Sequence, residues 1–162
     1  MILVHKKISS PIGALHILSN GKKLVGLVFG NSWAEYKKNL QNEVSDGDDR
    51  ICQRTEKQLN EYFQGQRTAF DVPVELDGTA FQKQAWQSLM KIPYGKTISY
   101  GDQARQMRNP KAVRAVGGAN GKNKICIIIP CHRVIGKDGS LTGFGGGIEI
   151  KKKLLQLEGV TA

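Results

Sequence analysis

The chain has 162 residues, of which 40% are hydrophobic and 23% are charged, and its formal net charge is +10 at pH 7. This composition is typical of one or two small folded domains, and it excludes the disordered, collagen-like and coiled-coil classes. No apolar run approaches the ~20 residues that span a bilayer, and the N-terminal residues lack the apolar core of a signal peptide. We therefore expect a soluble, cytoplasmic protein that does not engage membranes.

The three cysteines are Cys52, Cys126 and Cys131, an odd number without a Cys-x-x-Cys pair. This pattern argues against a disulfide framework and against a structural zinc site. We expect a reducing compartment, no bound metal and no cofactor. Cys52 falls on the apolar stripe of a predicted helix, so we interpret it as a core residue.

The positive charge is concentrated in one half of the chain. Residues 1–75 carry 10 Lys/Arg against 9 Asp/Glu, whereas residues 76–162 carry 14 Lys/Arg against 5 Asp/Glu. A block with a net charge of +9 favours a polyanionic partner, and nucleic acid is the first candidate because phosphate contacts supply most non-specific affinity. A basic surface that serves only solubility is the alternative.

The N-terminal part predicts strands followed by helices. Apolar runs at 2–8, 14–18 and 24–29 are separated by turn residues, which indicates a three-stranded antiparallel meander. Ser32 to Glu35 has the form of a capping box that opens a helix to about Val44, and a second helix covers 50–64. His5 and His16 are interpreted as surface or packed residues. We place a domain boundary after Glu75, which gives domains 1–75 and 76–162.

The second domain predicts four helices, of which the last runs from about Ile148 to Glu158. Thr79 opens a helix with another capping box, Ser99 caps a helix that runs to about Met107, and Asn109 with Pro110 starts a helix to about Asn120. The helices that begin at Ser99 and Asn109 form a helix-turn-helix. The second of them carries Lys111 and Arg114 and then two glycines, and it is typical of an element that approaches DNA closely.

The candidate reactive group is the thiol of Cys131. An apolar run, 125–129, predicts a buried strand that ends at Pro130, and His132 and Arg133 follow the cysteine. A thiol beside an imidazole in a basic domain is a candidate nucleophile, and Glu158 is a candidate to orient the imidazole. The residues alone leave the electrophile open, since hydrolases and acyl transferases use the same relay. A structural Cys-His pair is the alternative.

Three segments resemble the O6-alkylguanine-DNA alkyltransferases, also called methylated-DNA–protein-cysteine methyltransferases. They are 92–101 (IPYGKTISYG), 114–119 (RAVGGA) and 130–134 (PCHRV), and the match is in register from Phe81 to Glu158. The fold that the elements and the resemblance predict is α+β. A small N-terminal domain with a three-stranded sheet and helices precedes a mainly helical C-terminal domain with a winged-helix-like helix-turn-helix.

The resemblance implies DNA repair by an irreversible, single-turnover transfer, which makes the protein a suicide methyltransferase. Cys131 would take the alkyl group from O6-alkylguanine in double-stranded DNA, and whether O4-alkylthymine is a second substrate is left open. His132 and Glu158 would activate Cys131 through a water, and the Tyr100 hydroxyl would hydrogen-bond the base at N3. The protein is expected to act as a monomer.

The resemblance also implies base flipping by a helix-turn-helix in the minor groove. Arg114 would fill the gap that the extruded nucleotide leaves, and Tyr100 would rotate its phosphate. The other residues expected to contact DNA are Gly101, Asn109, Ala115, Gly117, Gly118 and Lys137. The small side chains on the second helix suit a narrow groove.

The alkylguanine pocket is implied to consist of Val134, Asn123 and the Phe144-Gly145 pair, with the Gly145 amide as a donor. Relatives often carry Tyr-Ser where this chain has Phe144-Gly145. This pair keeps an aromatic wall and a backbone donor but lacks two hydroxyl groups, which bears on the width of the pocket and on the size of the alkyl group that it accepts. Lys124 and Cys126 replace prolines that are common near Asn123, so that turn is predicted to be less rigid.

Three rival functions are weighed against this prediction. An alkyltransferase-like lesion-binding protein lacks the acceptor cysteine, and Cys131 argues against it. A sequence-specific regulator would need Asn, Gln or Arg on the base-reading helix, which instead carries Ala and Gly. A cysteine hydrolase would turn over many times.

Overall fold

The computed structural model describes residues 2–141, 144 and 146–160. Their Cα positions divide into two compact units, of which the first combines Met1–Glu75 with Lys124–Cys126 and the second combines Leu76–Asn123 with Ile127–Ala162. Within the described residues, no helix has both the length and the apolarity needed to cross a bilayer.

The first unit is built on a mixed sheet with the strand order β3-β2-β1-β4. Its strands are β1 (Ile2–Ile8), β2 (Leu15–Ser19), β3 (Leu24–Phe29) and β4 (Glu43–Asp46). The first three form the predicted antiparallel meander, with Asn20 Oδ1 accepting hydrogen bonds from the amides of Lys22 and Lys23 in the second turn. Helices α1 (Gly30–Asn39) and α2 (Arg50–Phe63) complete the unit.

Two predictions for this unit are wrong. The sheet has four strands, because β4 pairs parallel to β1 where a helix end and a polar loop were expected. The strand was missed because its sequence, Glu-Val-Ser-Asp, is almost wholly polar. Helix α1 begins after Phe29 without a side-chain cap, so the capping box predicted at Ser32 does not form.

The segment Lys124–Cys126 extends the first unit next to β3. The Leu27 amide donates to the Lys124 carbonyl at 2.9 Å, and the Cys126 amide donates to the Leu27 carbonyl at 3.0 Å. Cys126 is buried there, in agreement with a packing role. Cys52 is buried in α2, and burial raises the pKa of its thiol to about 12. Neither thiol is presented as a nucleophile.

The second unit contains four helices and a two-stranded parallel sheet. The helices are α3 (Ala80–Leu89), α4 (Tyr100–Gln106), α5 (Val113–Gly121) and α6 (Ile148–Leu157), and the strands are β5 (Ile98–Ser99) and β6 (Val134–Ile135). The capping box at Thr79 is present, and Ser99 caps α4 as predicted, with Asp102 as its reciprocal partner. Helix α5 has no side-chain cap and starts three residues after Pro110, so the cap predicted at Asn109 is wrong.

Helices α3, α4 and α5 share a small core and a buried hydrogen-bond network. Val116 and Ala119 of α5 pack with Ala85, Ala104 and Met107. Gln103 and Asn120 exchange hydrogen bonds between their side-chain amides at 3.0 and 2.7 Å, and the Trp86 indole donates to the Ala119 carbonyl at 2.9 Å. These bonds fix the orientation of α5, since buried polar groups must find partners.

Candidate active site

Cys131 begins a single turn of 3-10 helix, Cys131–Arg133, that follows a buried apolar segment. Ile127, Ile128 and Ile129 are buried, but they form turns and not the strand that the sequence predicts, and Ile127 has a φ of 66°. A β-branched residue rarely adopts a positive φ, so the surrounding packing must hold this bend. The thiol is thus presented by a tightly constrained turn, and Cys131 itself is partly exposed.

Asn123 links this turn to the end of α5. Its side-chain amide donates to the Ile129 carbonyl at 2.8 Å, and the Cys131 amide donates to the same carbonyl at 2.8 Å. The Asn123 side chain also hydrogen-bonds Cys131. Asn123, two residues after the end of α5, therefore bonds directly to the turn that holds Cys131.

Glu158 is the centre of a buried polar cluster. His132 Nε2 lies 2.6 Å from Glu158 Oε2, and the Arg133 guanidinium donates Nε to Oε1 at 2.8 Å and Nη2 to Oε2 at 3.1 Å. The Gly95 amide donates to Oε1 at 3.4 Å. The side chains of His132 and Glu158 are fully buried. This geometry brings together the imidazole and the carboxylate that the sequence singled out.

The other ring nitrogen of His132 has no partner among the described residues. Nδ1 is buried and makes no hydrogen bond there. A buried polar atom without a partner is uncommon in native proteins, and a catalytic role is one of the explanations for it. Because Nε2 faces Glu158, the tautomer with a proton on Nε2 leaves the lone pair of Nδ1 available as an acceptor.

The electrostatic environment of the cluster favours neutral groups. Burial raises the pKa of the Cys131 thiol, while the hydrogen bond from Asn123 and the charge of Lys151 lower it. Burial lowers the pKa of His132, and the hydrogen bond to Glu158 acts in the opposite direction. Both shifts favour the uncharged forms, a thiol and a neutral imidazole, so proton removal from Cys131 requires an acceptor close by.

Lys151, from α6, is buried next to the same turn. Only 1% of it is exposed, and its ammonium donates to the Val134 carbonyl at 2.7 Å. Burial lowers the pKa of Lys151, whereas its interaction with Cys131 raises that pKa. Lys151 and Arg133 are the two site residues to which the sequence analysis gave no role.

The small parallel sheet brings Tyr100 to the reactive turn. Ile98 pairs with Val134 and Ser99 pairs with Ile135, so Tyr100 directly follows the strand that pairs with the residues after Cys131. Its ring also lies against α5, where a Cβ at Gly117 would be 3.8 Å from it. Val134 therefore directly follows the reactive turn, and Tyr100 directly follows the strand that pairs with it.

The predicted DNA-contacting residues fall on one side of α5 and on nearby turns. Arg114, Ala115 and Gly118 are exposed on α5, and a Cβ at Gly118 would meet nothing within 4 Å. Gly101 lies in the first turn of α4, Asn109 lies in the α4–α5 connection, and Lys137 is exposed in the turn after β6.

One predicted pocket residue cannot be placed. Gly145 lies outside the described residues, whereas Phe144 is partly buried with its ring centroid 5.9 Å from Lys151 Nζ. Among the described residues, no three His, Cys, Asp or Glu side chains are grouped to hold a metal ion.

Comparisons with known proteins cover both units. Residues 80–160 match the family model described as 6-O-methylguanine DNA methyltransferase, DNA binding domain, and residues 3–76 match the model described as 6-O-methylguanine DNA methyltransferase, ribonuclease-like domain. A methylated-DNA–protein-cysteine methyltransferase of Haemophilus influenzae is 47% identical over 150 residues, which cover 92% of this chain and 82% of that protein.

Two further relatives support the same assignment. The Mycobacterium bovis protein of the same name is 46% identical over 95% of this chain and 91% of its own length. The crystal structure of Mycobacterium tuberculosis OGT in complex with DNA superposes with a TM-score of 0.86 at 44% identity, covering 98% of this chain and 92% of that one. The chain belongs to the methylated-DNA–protein-cysteine methyltransferase family.

Proposed function

We propose that this chain repairs DNA by moving the alkyl group of O6-alkylguanine onto Cys131 in a single, irreversible step. The observation that carries the proposal is the buried relay of Glu158 and His132 beside a partly exposed cysteine, in a chain of this family. The chain's relatives include an OGT whose crystal structure is a complex with DNA, which supports double-stranded DNA as the partner.

The transfer is a displacement at the alkyl carbon. The Cys131 thiol gives up its proton toward His132 Nδ1 through a water, the sulfur forms a bond to the alkyl carbon, and the bond between that carbon and O6 breaks. The electron pair of the broken bond stays on guanine. The base takes up one proton, which balances the proton that the thiol loses. The products are S-alkylcysteine and guanine. A thioether has no good leaving group for water to displace, so each molecule acts once.

Tyr100 and the pocket residues assist the leaving base. The Tyr100 hydroxyl hydrogen-bonds the base at N3 and stabilises the negative charge that develops on guanine. Val134, Phe144 and Asn123 line the pocket. Support for Tyr100 comes from its position directly after β5, the strand that pairs with β6 next to the reactive turn.

DNA is bound through the α4–α5 helix-turn-helix, with α5 in the minor groove. Its exposed side carries the small residues Ala115 and Gly118, which allow the backbone to approach a narrow groove. Arg114 takes the place of the flipped nucleotide, since O6 cannot be attacked while the base is stacked in the duplex. Gly101, Asn109, Gly117 and Lys137 belong to the same contact surface.

O4-alkylthymine offers an equivalent alkyl–oxygen bond and is proposed as a second substrate.

The acceptor is tested by intact mass after incubation with duplex DNA containing O6-methylguanine. We expect a gain of one methyl group per protein molecule, and no gain in Cys131→Ala. Cys52→Ala and Cys126→Ala are matched controls that keep the full gain, because both thiols are buried. Multiple turnovers, or an unmodified wild-type protein, would contradict the proposal. A duplex with O4-methylthymine tests the second substrate in the same assay.

The flipping role of Arg114 is tested by comparing two substrates. Arg114→Ala is expected to slow transfer from duplex DNA at least tenfold, while transfer from the free base O6-methylguanine changes little, because the free base needs no extrusion. Lys22→Ala, an exposed cation in the β2–β3 turn, is the control. Equal losses on both substrates would remove Arg114 from the flipping step.

A further inference from the structure

Arg133 is the cation that pairs with Glu158 in the buried cluster. Its guanidinium makes two hydrogen bonds to the two Glu158 oxygens and a third, from Nη1, to the Ile92 carbonyl at 2.7 Å. Its side chain is 7% exposed, and that of Glu158 is fully buried. The guanidinium carbon also lies 5.9 Å from the centroid of the Tyr94 ring. These contacts hold a fixed cation against a fixed carboxylate.

The charges of the cluster determine the state of His132. A buried carboxylate needs one compensating cation, and arginine supplies it permanently because it does not lose its proton in proteins. A second positive charge on His132 would then be an excess in a buried site that also holds Lys151. Burial and the charges of Arg133 and Lys151 lower the pKa of His132, and Glu158 alone raises it.

We propose that Arg133 is a positioning residue for alkyl transfer: by neutralising Glu158 it keeps His132 uncharged, with Nδ1 able to accept the proton of Cys131. This inference rests on the proposed role of Cys131 as the acceptor. The arrangement divides two tasks between the partners of Glu158. His132 moves the proton, and Arg133 supplies the counter-charge that His132 would otherwise have to provide.

Without the guanidinium, His132 is expected to supply the positive charge that compensates Glu158. In Arg133→Met the buried carboxylate keeps only His132 as a partner able to carry positive charge, so the imidazole is expected to take up a proton at neutral pH. An imidazolium has protons on both nitrogens and cannot accept another. Arg133→Met also removes three buried hydrogen bonds and is therefore expected to destabilise the protein. A change in stability alone does not test the inference.

The experiment is a pH titration of the histidine ring nitrogens by NMR with 15N-labelled histidine. The chain has only three histidines, and His5 and His16 belong to the other unit. We expect wild-type His132 to be neutral at pH 7 with its proton on Nε2. In Arg133→Met its pKa is expected to rise by at least one unit, and the single-turnover rate at pH 7 is expected to fall at least tenfold and to recover partly at higher pH.

Two further variants separate charge from packing. Arg133→Lys keeps the positive charge and is expected to keep His132 neutral. The double variant Arg133→Met with Glu158→Gln removes both charges, and it is expected to return His132 to the neutral state and to transfer faster than Arg133→Met. A merely structural arginine would give no such recovery, because Glu158→Gln removes a charge and restores none of the hydrogen bonds that Arg133 made.

The outcomes distinguish this inference from the proposed function. A wild-type protein that gains a methyl on Cys131 but has His132 protonated at pH 7 overturns the inference and leaves the function intact. So does an Arg133→Met protein with unchanged His132 titration and an unchanged pH profile. A wild-type protein that gains no methyl overturns the proposed function, whatever the titration shows. Because a protonated His132 in the wild type overturns the inference by itself, the inference can still be refuted if Arg133→Met does not fold.

Discussion

Asn123 acts on the reactive turn through two bonds. It donates to the Ile129 carbonyl at 2.8 Å, which holds the bend before Pro130, and its hydrogen bond to Cys131 lowers the pKa of a thiol that burial raises. A hydrogen bond to the charged form of a group favours that form. Asn123 therefore contributes both to the shape of the turn and to the ease with which Cys131 becomes a thiolate.

Asn123→Ala is expected to raise the pKa of Cys131 and to slow alkyl transfer at pH 7 about tenfold or more. It should also destabilise the second unit by about 1 kcal/mol, since the Ile129 carbonyl loses one of its donors. The rate of single-turnover transfer is measured against pH, and urea unfolding gives the free energy. Asn60→Ala, on the exposed side of α2, is the control. An unchanged pH profile would contradict the electrostatic role.

Single residues differ in how far their sequence context predicts them. Cys131 and His132 are adjacent, and a thiol next to an imidazole indicates a candidate nucleophile directly. Glu158 was identified as a carboxylate near the end of the chain. Arg133 and Lys151 were not assigned, because a Lys or Arg in a basic sequence is most often exposed. Their burial becomes evident only when Glu158 and the Val134 carbonyl are seen to be their partners. The signal that the sequence did contain was the position of Arg133, directly after the reactive pair.

Among the elements, those with strong local signals were predicted well. The apolar runs of the meander and the caps at Thr79 and Ser99 formed where expected, because turn and capping residues act over a few positions. Strand β4 and the turns at Ile127–Ile129 were missed. The first depends on pairing with a distant strand, and the second depends on packing that holds Ile127 at a positive φ.

A histidine pair links the elements of the first unit. His5 Nε2 of β1 lies 2.8 Å from His16 Nδ1 of β2, both rings stack on Trp33 of α1, and His5 Nδ1 lies 2.6 Å from Asp46 of β4. His16 is buried, and burial together with the charges of His5 and Lys7 lowers its pKa to about 4. The two histidines are thus packed residues, as the sequence suggested.

The stability of this unit is expected to depend on the protonation of His16. A histidine whose pKa is lowered on folding contributes stability that is complete above its unfolded pKa of about 6.5 and is lost as the pH falls toward about 4. We expect the wild type to lose about 2–3 kcal/mol more than His16→Phe between pH 7 and pH 4, as measured by urea unfolding at both values. The hydrogen bond to His5 lowers the pKa of Asp46, so that group titrates below this window. Parallel losses in both proteins would contradict the assignment to His16.

A methyl group added at Gly118 of α5 is expected to increase stability and to weaken DNA binding. Gly118 has open space around its Cβ position and lies inside the helix, so Gly118→Ala should stabilise the second unit by about 0.5–1 kcal/mol. The same methyl would hold the helix away from a narrow groove and is expected to weaken binding to duplex DNA. Gly121→Ala, at the end of the same helix, is a matched control that should leave DNA binding unchanged. Thermal unfolding and fluorescence anisotropy measure the two effects, and tighter DNA binding by Gly118→Ala would argue against minor-groove docking.

At the scale of the whole molecule, the division of charge follows from the sequence alone, whereas the assignment of residues 124–126 to the first unit depends on backbone contacts. A change in composition after Glu75 marks the end of one unit, but nothing in residues 124–126 indicates that they pair with β3 in the first unit. That assignment rests on backbone hydrogen bonds to Leu27, which side-chain patterns do not encode. The charge division needs no such contacts, since it follows from counting residues.

The basic half of the chain predicts a strong dependence of DNA binding on salt. Each phosphate that a Lys or Arg neutralises releases counterions, so the logarithm of the binding constant should fall linearly with the logarithm of the salt concentration. Lys137 is exposed in the turn after β6, and Lys137→Ala is expected to reduce the steepness of that line by about one. Lys22→Ala removes an exposed cation from the nearly neutral first unit and should leave the slope unchanged. Anisotropy titrations on an undamaged duplex, in which no transfer occurs, measure the slope for all three proteins. A slope near zero, or equal changes in the two variants, would mean that the charge of residues 76–162 does not form the DNA contact.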